Sequence, residues 1–334
     1  MSELIREAMY YKKLEGDLLQ CELCPHYCVI PVGEMGKCRS RENIAGKLWA
    51  VNYAQALGIS VDPIEKKPFY HFRPGSNILS LGPNSCNLKC RWCQNYQISQ
   101  FASPTIELSL EELYSGVLKH NPTTRQLAFT YTEPLTWYEY ILDFATMYPE
   151  VKIALISNGF LNPEPLAQLL PHIAAMNIDL KGFTEGFYKE QCGGSLEPIK
   201  TNIRAIWEAG VHLELTLLLI PGLNDKEKEL CELVNFIASI SPEIPLHISA
   251  YHPTYLTDLP ATRVQDIARA RQIALKKLSY VYGGNLAVDG FRDCQCPDCG
   301  KILMRRTLFS TDCQVGSDNK CPHCGRQIYG QYDQ

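Results

Sequence analysis

Short apolar runs alternate with amphipathic stretches through the middle of the chain. The runs include NILSLGP from Asn77, QLAFTY from Gln126 and VHLELTLLLI from Val211, and they are typical of strands buried on both faces. Helical patterns follow them, and the first, LSLEELYSGVLKH, offers Ser109 and Glu112 as a capping box. Buried strands that are each followed by a helix predict a parallel sheet with covering helices.

Six or more such units in series favour a barrel or partial barrel over two doubly wound halves, and no dinucleotide-binding glycine motif follows the first strand. The predicted fold class is α/β, with a partial (β/α)6 TIM-like barrel over residues 76–292. A cysteine-rich metal-binding module and lead-in are expected at 1–75, and a zinc-ribbon-like module at 293–334. In such barrels the chemistry lies in the loops after the strands.

Composition narrows the class of protein. The 334 residues are 46% hydrophobic and 20% charged with a net charge of -4, which is typical of a soluble globular protein and gives no indication of a nucleic-acid surface. The start, MSELIREAMYYKKLEGD, lacks the apolar core of a secretory signal, and the longest apolar stretch, LTLLLIPG, is too short to span a membrane. The 15 cysteines are therefore expected to be metal ligands in a reducing cytoplasm.

The loop after the first predicted strand carries the most specific motif, CNLKCRWCQNY. Its three thiols, Cys86, Cys90 and Cys93, would hold three irons of a cubane cluster and leave the fourth open, whereas zinc with a remote fourth ligand is the alternative. C-x3-C-x2-C at the end of the first barrel strand resembles the signature of the radical S-adenosylmethionine (SAM) superfamily. The resemblance implies a [4Fe-4S] cluster whose open iron binds SAM and cleaves it to a 5′-deoxyadenosyl radical, which abstracts a hydrogen atom from the substrate.

Other strand ends provide candidate contacts to SAM. Glu133 in YTEP is expected to accept from the SAM ammonium, unless it is only a helix-start acid. SNG looks like the ribose-contacting motif of activase-type members, DLKG offers a pair that is equally well explained as a solvated ion pair, and IPGLND offers an apolar shelf for adenine. The cofactor-binding candidates are Glu133, Ser157, Asn158, Asp179, Lys181 and Ile220. His212, Glu214 and Thr216, with His247 and Ser249, alternate along two strands and are candidates for a polar substrate site.

Both ends of the chain carry further cysteine groups. CPDCG and CPHCG have zinc-ribbon spacing, so Cys296, Cys299, Cys321 and Cys324 are predicted zinc ligands. The N-terminal set consists of Cys21, Cys24, Cys28 and Cys38, for which zinc and an auxiliary iron–sulfur cluster remain alternatives. His26 lies among them as a further potential ligand.

Motifs along nearly the entire chain, including CELCPHYC, DPIEKKPFYHFRPGS, MNIDLKGF and CPHCGRQIYG, look like the AmmeMemoRadiSam-system radical SAM enzymes, relatives of pyruvate formate-lyase activating enzymes. This resemblance implies Memo-like and AMMECR1-like partners and, as electron donor, a ferredoxin or flavodoxin. Thr132 and Ala250 stand where that family carries asparagine and arginine. Two alternatives accompany this hypothesis: a glycyl-radical-enzyme activase, and a non-catalytic zinc-ribbon protein that binds RNA or another protein.

Overall fold

The computed structural model describes residues 5–307 and 310–332, so parts of the two predicted terminal modules, residues 1–4, 308–309 and 333–334, lie outside the described residues. The N-terminal segment forms two small antiparallel sheets, in the orders β1-β6-β5 and β2-β3-β4. Their strands are β1 (Arg6–Glu7), β2 (Tyr11–Lys13), β3 (Leu19–Cys21), β4 (Val29–Ile30), β5 (Arg41–Ile44) and β6 (Lys47–Ala50).

A large, mostly parallel sheet forms the middle of the chain. Its strands are β7 (Gln55–Pro63), β8 (Asn77–Pro83), β9 (Ile106–Glu107), β10 (Gln126–Phe129), β11 (Lys152–Ser157), β12 (Ile173–Asp179), β13 (His212–Leu219), β14 (Leu246–Ala250) and β15 (Val281–Gly284). The order is β15-β14-β13-β12-β11-β10-β8-β7-β9, with parallel pairing from β8 to β15 and antiparallel pairing of β7 with both of its neighbours. All six predicted strands are present, and β15 adds a seventh parallel strand.

Helices connect the parallel strands. They are α1 (Tyr96–Ser99), α2 (Leu110–His120), α3 (Tyr138–Met147), α4 (Pro163–Leu169), α5 (Glu185–Phe187), α6 (Glu197–Glu208), α7 (Glu227–Ile240) and α8 (Val264–Ala274), with short 3-10 segments such as Pro134–Trp137 and a π-helical turn at Tyr188–Cys192. The predicted capping box at α2 is confirmed, because Glu112 N donates to Ser109 Oγ (3.1 Å) while Ser109 N donates to Glu112 Oε2 (2.9 Å).

The two faces of this sheet differ in side-chain size. One face carries large aliphatic residues such as Leu79, Leu127 and Leu213, which belong to the main hydrophobic core. Alanines on the opposite face leave room for two rings, Phe69 and Phe72, from the segment between β7 and β8; this second cluster consists of Ile64, Phe69, Phe72, Ile78, Ala128, Ala154 and Ala175. Residues 69–73, which we call the plug segment, therefore cover the alanine-bearing face of the sheet near the start of its strands.

The last residues pack against that plug segment. After β15 the chain forms a three-stranded antiparallel sheet, β16 (Cys294–Gln295), β17 (Ile302–Arg306) and β18 (Thr311–Cys313). Arg73 N donates to Gln331 O and Gln331 N donates to His71 O, both at 2.7 Å. Across the described residues, every helix is too short or too polar to cross a membrane.

Candidate active site and metal centres

A cavity of about 680 Å³ opens at the carboxyl ends of the parallel strands. The three cysteines of the C-x3-C-x2-C loop line it together with residues that follow β10, β11 and β12 and with residues of the C-terminal module. Parallel strands bring their carboxyl ends to one edge, which is why side chains far apart in the sequence meet here. The lining includes Cys86, Cys90, Cys93, Tyr131, Glu133, Asn158, Asp179, Lys181, Thr216, His247, Ser249, Arg292 and Arg306.

The cysteine loop is held against the turn that ends at Cys192. Lys89 N donates to Cys192 O (2.7 Å) and Arg91 N donates to Gln191 O (3.1 Å). A side-chain hydrogen bond from Cys192 lowers the pKa of Cys90, while burial raises the pKa of Cys192. Sequence reasoning left Cys192 without a role, because its nearness to Cys90 depends on pairing across about a hundred residues that no local pattern reveals.

The other two thiols of the loop have polar neighbours of their own. Cys93 Sγ lies 3.2 Å from Ser99 Oγ, and Cys86 Sγ accepts from Leu88 N at 3.4 Å. Burial raises the pKa of Cys86 well above its ordinary value, with the carboxyl of Glu133 acting in the same direction. A metal centre that displaces these protons would relieve the cost of burying thiolate charge.

Glu133 is almost completely buried on the cavity wall. Its Oε1 accepts from Ser157 Oγ (2.7 Å) and Leu135 N (3.0 Å), and its Oε2 accepts from Asn158 N (2.7 Å). Burial raises the pKa of Glu133 to about 7 despite these donors. Glu133 therefore caps the start of the 3-10 segment Pro134–Trp137. Its carboxyl also lines the cavity in which the ammonium of the ligand is expected to bind.

Asn158 joins this carboxyl to the cysteine loop. Its Nδ2 donates to Asn87 Oδ1 at 2.8 Å and lies 3.9 Å from Cys86 Sγ. Ser157 does not line the cavity; it contacts Glu133 instead. Of the predicted SNG contacts, Asn158 thus lies at the cavity, whereas Ser157 donates to Glu133 from behind the cavity wall.

Asp179 and Lys181 form an ion pair on the cavity wall, with Lys181 Nζ 3.1 Å from Asp179 Oδ2. Burial acts to lower the pKa of Lys181, but Asp179 and the neighbouring Cys90 raise it well above its usual range. The lysine side chain is 17% exposed and the aspartate side chain 39% exposed, so solvent reaches the pair mainly from the Asp179 side.

Ile220 is fully buried in the main core and is absent from the cavity lining, so the structure does not bring the expected adenine shelf to the site. The turn that follows it is fixed by Asn224, whose Oδ1 accepts from Ile220 N (2.7 Å). Ala250 also lies in the core and not on the cavity, whereas Thr132 lines the cavity and donates to Pro83 O (2.6 Å).

The expected polar substrate face divides into two groups. Thr216, His247 and Ser249 line the cavity. Glu214 lies deeper and is fully buried, where His212 Nε2 (3.0 Å) and His247 Nε2 (2.6 Å) contact its two oxygens. Burial acts to raise the pKa of Glu214, but these hydrogen bonds hold it well below its ordinary value.

Glu214 also accepts from the backbone of the plug segment, from Tyr70 N at 3.0 Å and His71 N at 2.7 Å. His212 and Glu214 therefore anchor the plug segment and do not line the cavity, which corrects their assignment as substrate-site candidates. The sequence shows that they share one strand face but not how far along that face the plug reaches.

The C-terminal cysteines form a compact metal-binding group. Among the described residues, Cys296, Cys299, Cys321 and Cys324 have Sγ atoms that all lie within 4.8 Å of one another. Two of the sulfur pairs are 3.6 and 3.8 Å apart. Tetrahedral coordination with Zn–S bonds of about 2.3 Å would place sulfur atoms about 3.8 Å apart, so the group fits a single ion of that size.

The N-terminal cysteines line one small, largely apolar cavity. Cys21, Cys24, Cys28 and Cys38 all border it, as do His26 and the buried Arg41. Both ring nitrogens of His26 have other neighbours: Nε2 lies 2.7 Å from Asn87 O, in the C-x3-C-x2-C loop, and Nδ1 lies 3.4 Å from Lys37 Nζ. Burial raises the pKa of the Cys21 thiol to about 12.

Comparison with known proteins follows this geometry. The radical SAM superfamily pattern matches residues 82–234, which contain the cysteine loop and β10 to β13. An uncharacterized protein of Methanocaldococcus jannaschii, MJ0808, is 38% identical over 335 residues, covering 97% of this chain and 99% of its own. The pyruvate formate-lyase-activating enzyme of Clostridium pasteurianum is 24% identical over 175 residues, which are 50% of this chain and 72% of that enzyme.

The fold itself resembles a solved structure, a radical SAM methyltransferase from Sphaerobacter thermophilus. The TM-score is 0.53 at 12% identity, and the match covers 84% of this chain and 76% of the methyltransferase. The cysteine loop at the carboxyl edge of a parallel sheet lies within the residues that the superfamily pattern matches. The chain contains a radical SAM superfamily domain over residues 82–234 and is an enzyme.

Proposed function

We propose that this enzyme binds a [4Fe-4S] cluster through Cys86, Cys90 and Cys93 and cleaves SAM reductively within the 680 Å³ cavity. The superfamily uses both of these cofactors. When bound, the cluster supplies the electron that splits SAM into methionine and a 5′-deoxyadenosyl radical, which takes a hydrogen atom from the substrate. The observation that carries the proposal is that all three thiols line one cavity without gathering around a single-ion site.

The residues of the chain would hold SAM and exclude water. Glu133 Oε2 has one donor in the structure, Asn158 N, and retains acceptor capacity for an ammonium. Lys181 and Asp179 present a paired cation and anion next to Cys90, suitable for the carboxylate and hydroxyl groups of the ligand. Ser157 keeps Glu133 oriented from behind, so its contribution is positional.

The substrate cavity extends from the cysteine loop to the C-terminal module. Arg306 lies 4.2 Å over the Tyr70 ring and lines the cavity with Arg292. These two guanidinium groups favour a substrate that carries an anionic or carbonyl group facing the module. The division into a module at 1–75, a partial (β/α)6 barrel at 76–292 and a zinc-ribbon-like module at 293–334 is part of this proposal.

Within the C-terminal module, we infer that the four-cysteine group holds one zinc ion. Gly300 (φ +70°) and Gly325 (φ +78°) follow the two C-P-x-C knuckles in the left-handed region, which only glycine adopts without strain. Equivalent hydrogen bonds, Gly300 N to Cys296 O and Gly325 N to Cys321 O (both 2.9 Å), shape the two knuckles alike. Metal binding would then supply the folding free energy of this small module.

The biological setting proposed from the sequence resemblance is the AmmeMemoRadiSam system, with Memo-like and AMMECR1-like partners, a ferredoxin or flavodoxin as reductant, and a cytoplasmic location in which thiols stay reduced. A glycyl-radical activase is the second candidate, because the similarity to the activating enzyme of Clostridium pasteurianum includes half of this chain. The third hypothesis, a non-catalytic zinc protein, is contradicted by membership of an enzyme superfamily.

The decisive experiment is anaerobic reconstitution with iron and sulfide, reduction in the presence of SAM, and quantification of 5′-deoxyadenosine. Cys90→Ala should abolish product formation, because loss of one of three thiolates leaves the cluster without sufficient protein ligands. Cys231→Ala, on α7 and outside every cysteine group described above, is the matched control and should retain activity. Product formation at the wild-type rate by Cys90→Ala would contradict the proposal.

A separate measurement distinguishes the two candidate functions. The reconstituted enzyme is incubated with SAM and co-expressed candidate proteins, and electron paramagnetic resonance is used to detect a glycyl radical. A stable glycyl radical in a partner would favour the activase. Turnover of a substrate by the enzyme with Memo-like or AMMECR1-like proteins, without such a radical, would favour the first candidate.

A further inference from the structure

The four N-terminal cysteines differ from the C-terminal four in how their sulfur atoms are arranged. The C-terminal sulfurs all lie within 4.8 Å of one another, as ligands of one ion must. The N-terminal sulfurs surround a cavity without meeting that criterion, and in this they resemble the three thiols of the catalytic loop. Thiolates that bind different irons of one cluster stand further apart than thiolates that share an ion, so the wider arrangement favours a cluster.

The wall of this cavity has the chemistry that a buried anionic cluster needs. Apolar side chains, among them Leu23, Ile30 and Leu161, exclude water from it. Arg41 is fully buried on the same wall and has an ion pair with Glu139 (2.7 Å). Its Nε has no hydrogen-bond partner within the described structure, and a buried donor left without an acceptor destabilises the fold. Cluster sulfur is an acceptor of the required kind.

The cavity lies directly beside the catalytic loop. Asn87, the residue after Cys86, lines it, and Asn87 O is 2.7 Å from His26 Nε2. On its other side, Asn87 Oδ1 accepts from Asn158 Nδ2, which is 3.9 Å from Cys86 Sγ. One residue and its hydrogen bonds therefore separate the two cysteine sites, which is a short path for an electron.

We propose that Cys21, Cys24, Cys28 and Cys38 hold a second iron–sulfur cluster that passes single electrons to the catalytic centre through the Asn87 segment. A low-potential donor of the ferredoxin or flavodoxin class is oxidised by one electron and reduces the second cluster. That electron then reduces the catalytic centre, and the second cluster returns to its oxidised state; no proton or group moves. The relay rests on the proposed function, whereas the presence of the cluster does not.

Metal content tests the cluster independently of turnover. A variant with Cys86, Cys90 and Cys93 all changed to alanine lacks the catalytic site, and after anaerobic reconstitution it should keep iron and acid-labile sulfide in equal amounts. About four of each per chain are expected for a cubane, or about two for a [2Fe-2S] cluster. An iron-free variant with two zinc ions per chain would overturn the proposal, even if the wild type cleaves SAM, because the N-terminal site would then be a zinc site.

The reciprocal variant guards against misfolding. Cys24→Ser with Cys28→Ser should remove the iron of the second cluster while iron of the catalytic site and one equivalent of zinc remain, and Cys231→Ala should change neither. If this variant does not fold, the wild-type protein decides the question: about eight irons and one zinc per chain support a second cubane, whereas about four irons and two zinc ions contradict it.

Electron paramagnetic resonance tests the relay. In the fully reduced wild type, two neighbouring paramagnetic clusters should broaden each other's signals, so that the spectrum differs from the sum of the spectra of the two single-site variants. With a protein donor, the double variant at Cys24 and Cys28 should reduce its catalytic cluster at least tenfold more slowly, while reduction by dithionite stays unchanged. A spectrum equal to the sum, or unchanged reduction by the protein donor, would refute the relay.

Discussion

Acidification should weaken the junction between the plug segment and the C-terminus through one histidine. His71 is fully buried and its ring contacts Tyr329 O (2.7 Å), Tyr332 Oη (2.8 Å) and Tyr282 Oη (2.6 Å). Burial lowers the pKa of His71 to about 3 from the ordinary value of 6.5. The unfolded chain therefore binds a proton that the folded chain does not, at every pH between these two values.

The direction and the size of the change in the free energy of unfolding follow from this difference in proton binding. His71 is a base whose pKa is lower in the folded protein than in the unfolded chain. The free energy of unfolding is therefore highest above pH 6.5, and it decreases as the pH falls toward 3. At pH 5.5 an unfolded histidine with pKa 6.5 is about ten parts protonated to one part neutral. The free energy of unfolding should thus fall by about 1.4 kcal/mol between pH 7.5 and 5.5 on account of His71 alone.

The assay measures urea unfolding of wild type and His71→Gln at both pH values and monitors it by tryptophan fluorescence. Trp207, whose ring lies 5.3 Å from that of Tyr329, reports on the junction. The variant should be less stable at pH 7.5 but should lose about 1.4 kcal/mol less on acidification. The comparison cancels the contributions of other histidines and of the metal centres. Equal pH dependence in the two proteins would refute this account of His71.

Three further changes have defined outcomes. Glu133→Gln should weaken SAM binding by about 1–3 kcal/mol, measured by calorimetry on the reconstituted enzyme, while the cluster still assembles; unchanged affinity would leave only its helix-start role. Cys321→Ser should make the residues after about Asp293 sensitive to limited proteolysis, while the brown colour of the [4Fe-4S] cluster at Cys86, Cys90 and Cys93 persists. Loss of that colour would contradict separate metal sites. Gly82→Ala should give little soluble protein, because the added Cβ would lie 2.0 Å from Thr130 O, whereas Gly186→Ala, which meets no atom within 4 Å, should express normally.

Local patterns predicted much of the main sheet and the cysteine loop. The six predicted strands, the capping box at Ser109 and Glu112 and the position of Cys86–Cys93 after the first parallel strand depend on neighbours in sequence, and all are present. The spacing of Cys296, Cys299, Cys321 and Cys324 likewise reports a local knuckle geometry, which is why these four sulfurs meet as expected.

Features that depend on contacts between segments far apart in the sequence were not predicted. The plug segment with Phe69 and Phe72 has no periodic pattern, and its place is set by alanines on three separate strands. The backbone of the plug segment donates hydrogen bonds to Glu214, so this residue anchors the segment and does not line the cavity. Ile220 is buried in the core and does not line the cavity, because an apolar residue at a strand end packs equally well in either place and the sequence does not distinguish the two.

The pairing of residues 71–73 with 329–331 closes a loop of about 258 residues. Ribosomal synthesis delivers the N-terminus first, so the plug segment emerges long before residues 329–331 are made. Contacts of such sequence separation form late because the chain must first give up the entropy of closing the loop. Until residues 329–332 emerge, the His71 ring lacks Tyr329 and Tyr332, and the backbone of residues 71–73 lacks Gln331. Full burial of the plug segment therefore requires residues 329–332, and a ribosome-stalled or truncated product that lacks them would expose the segment to chaperones and proteases.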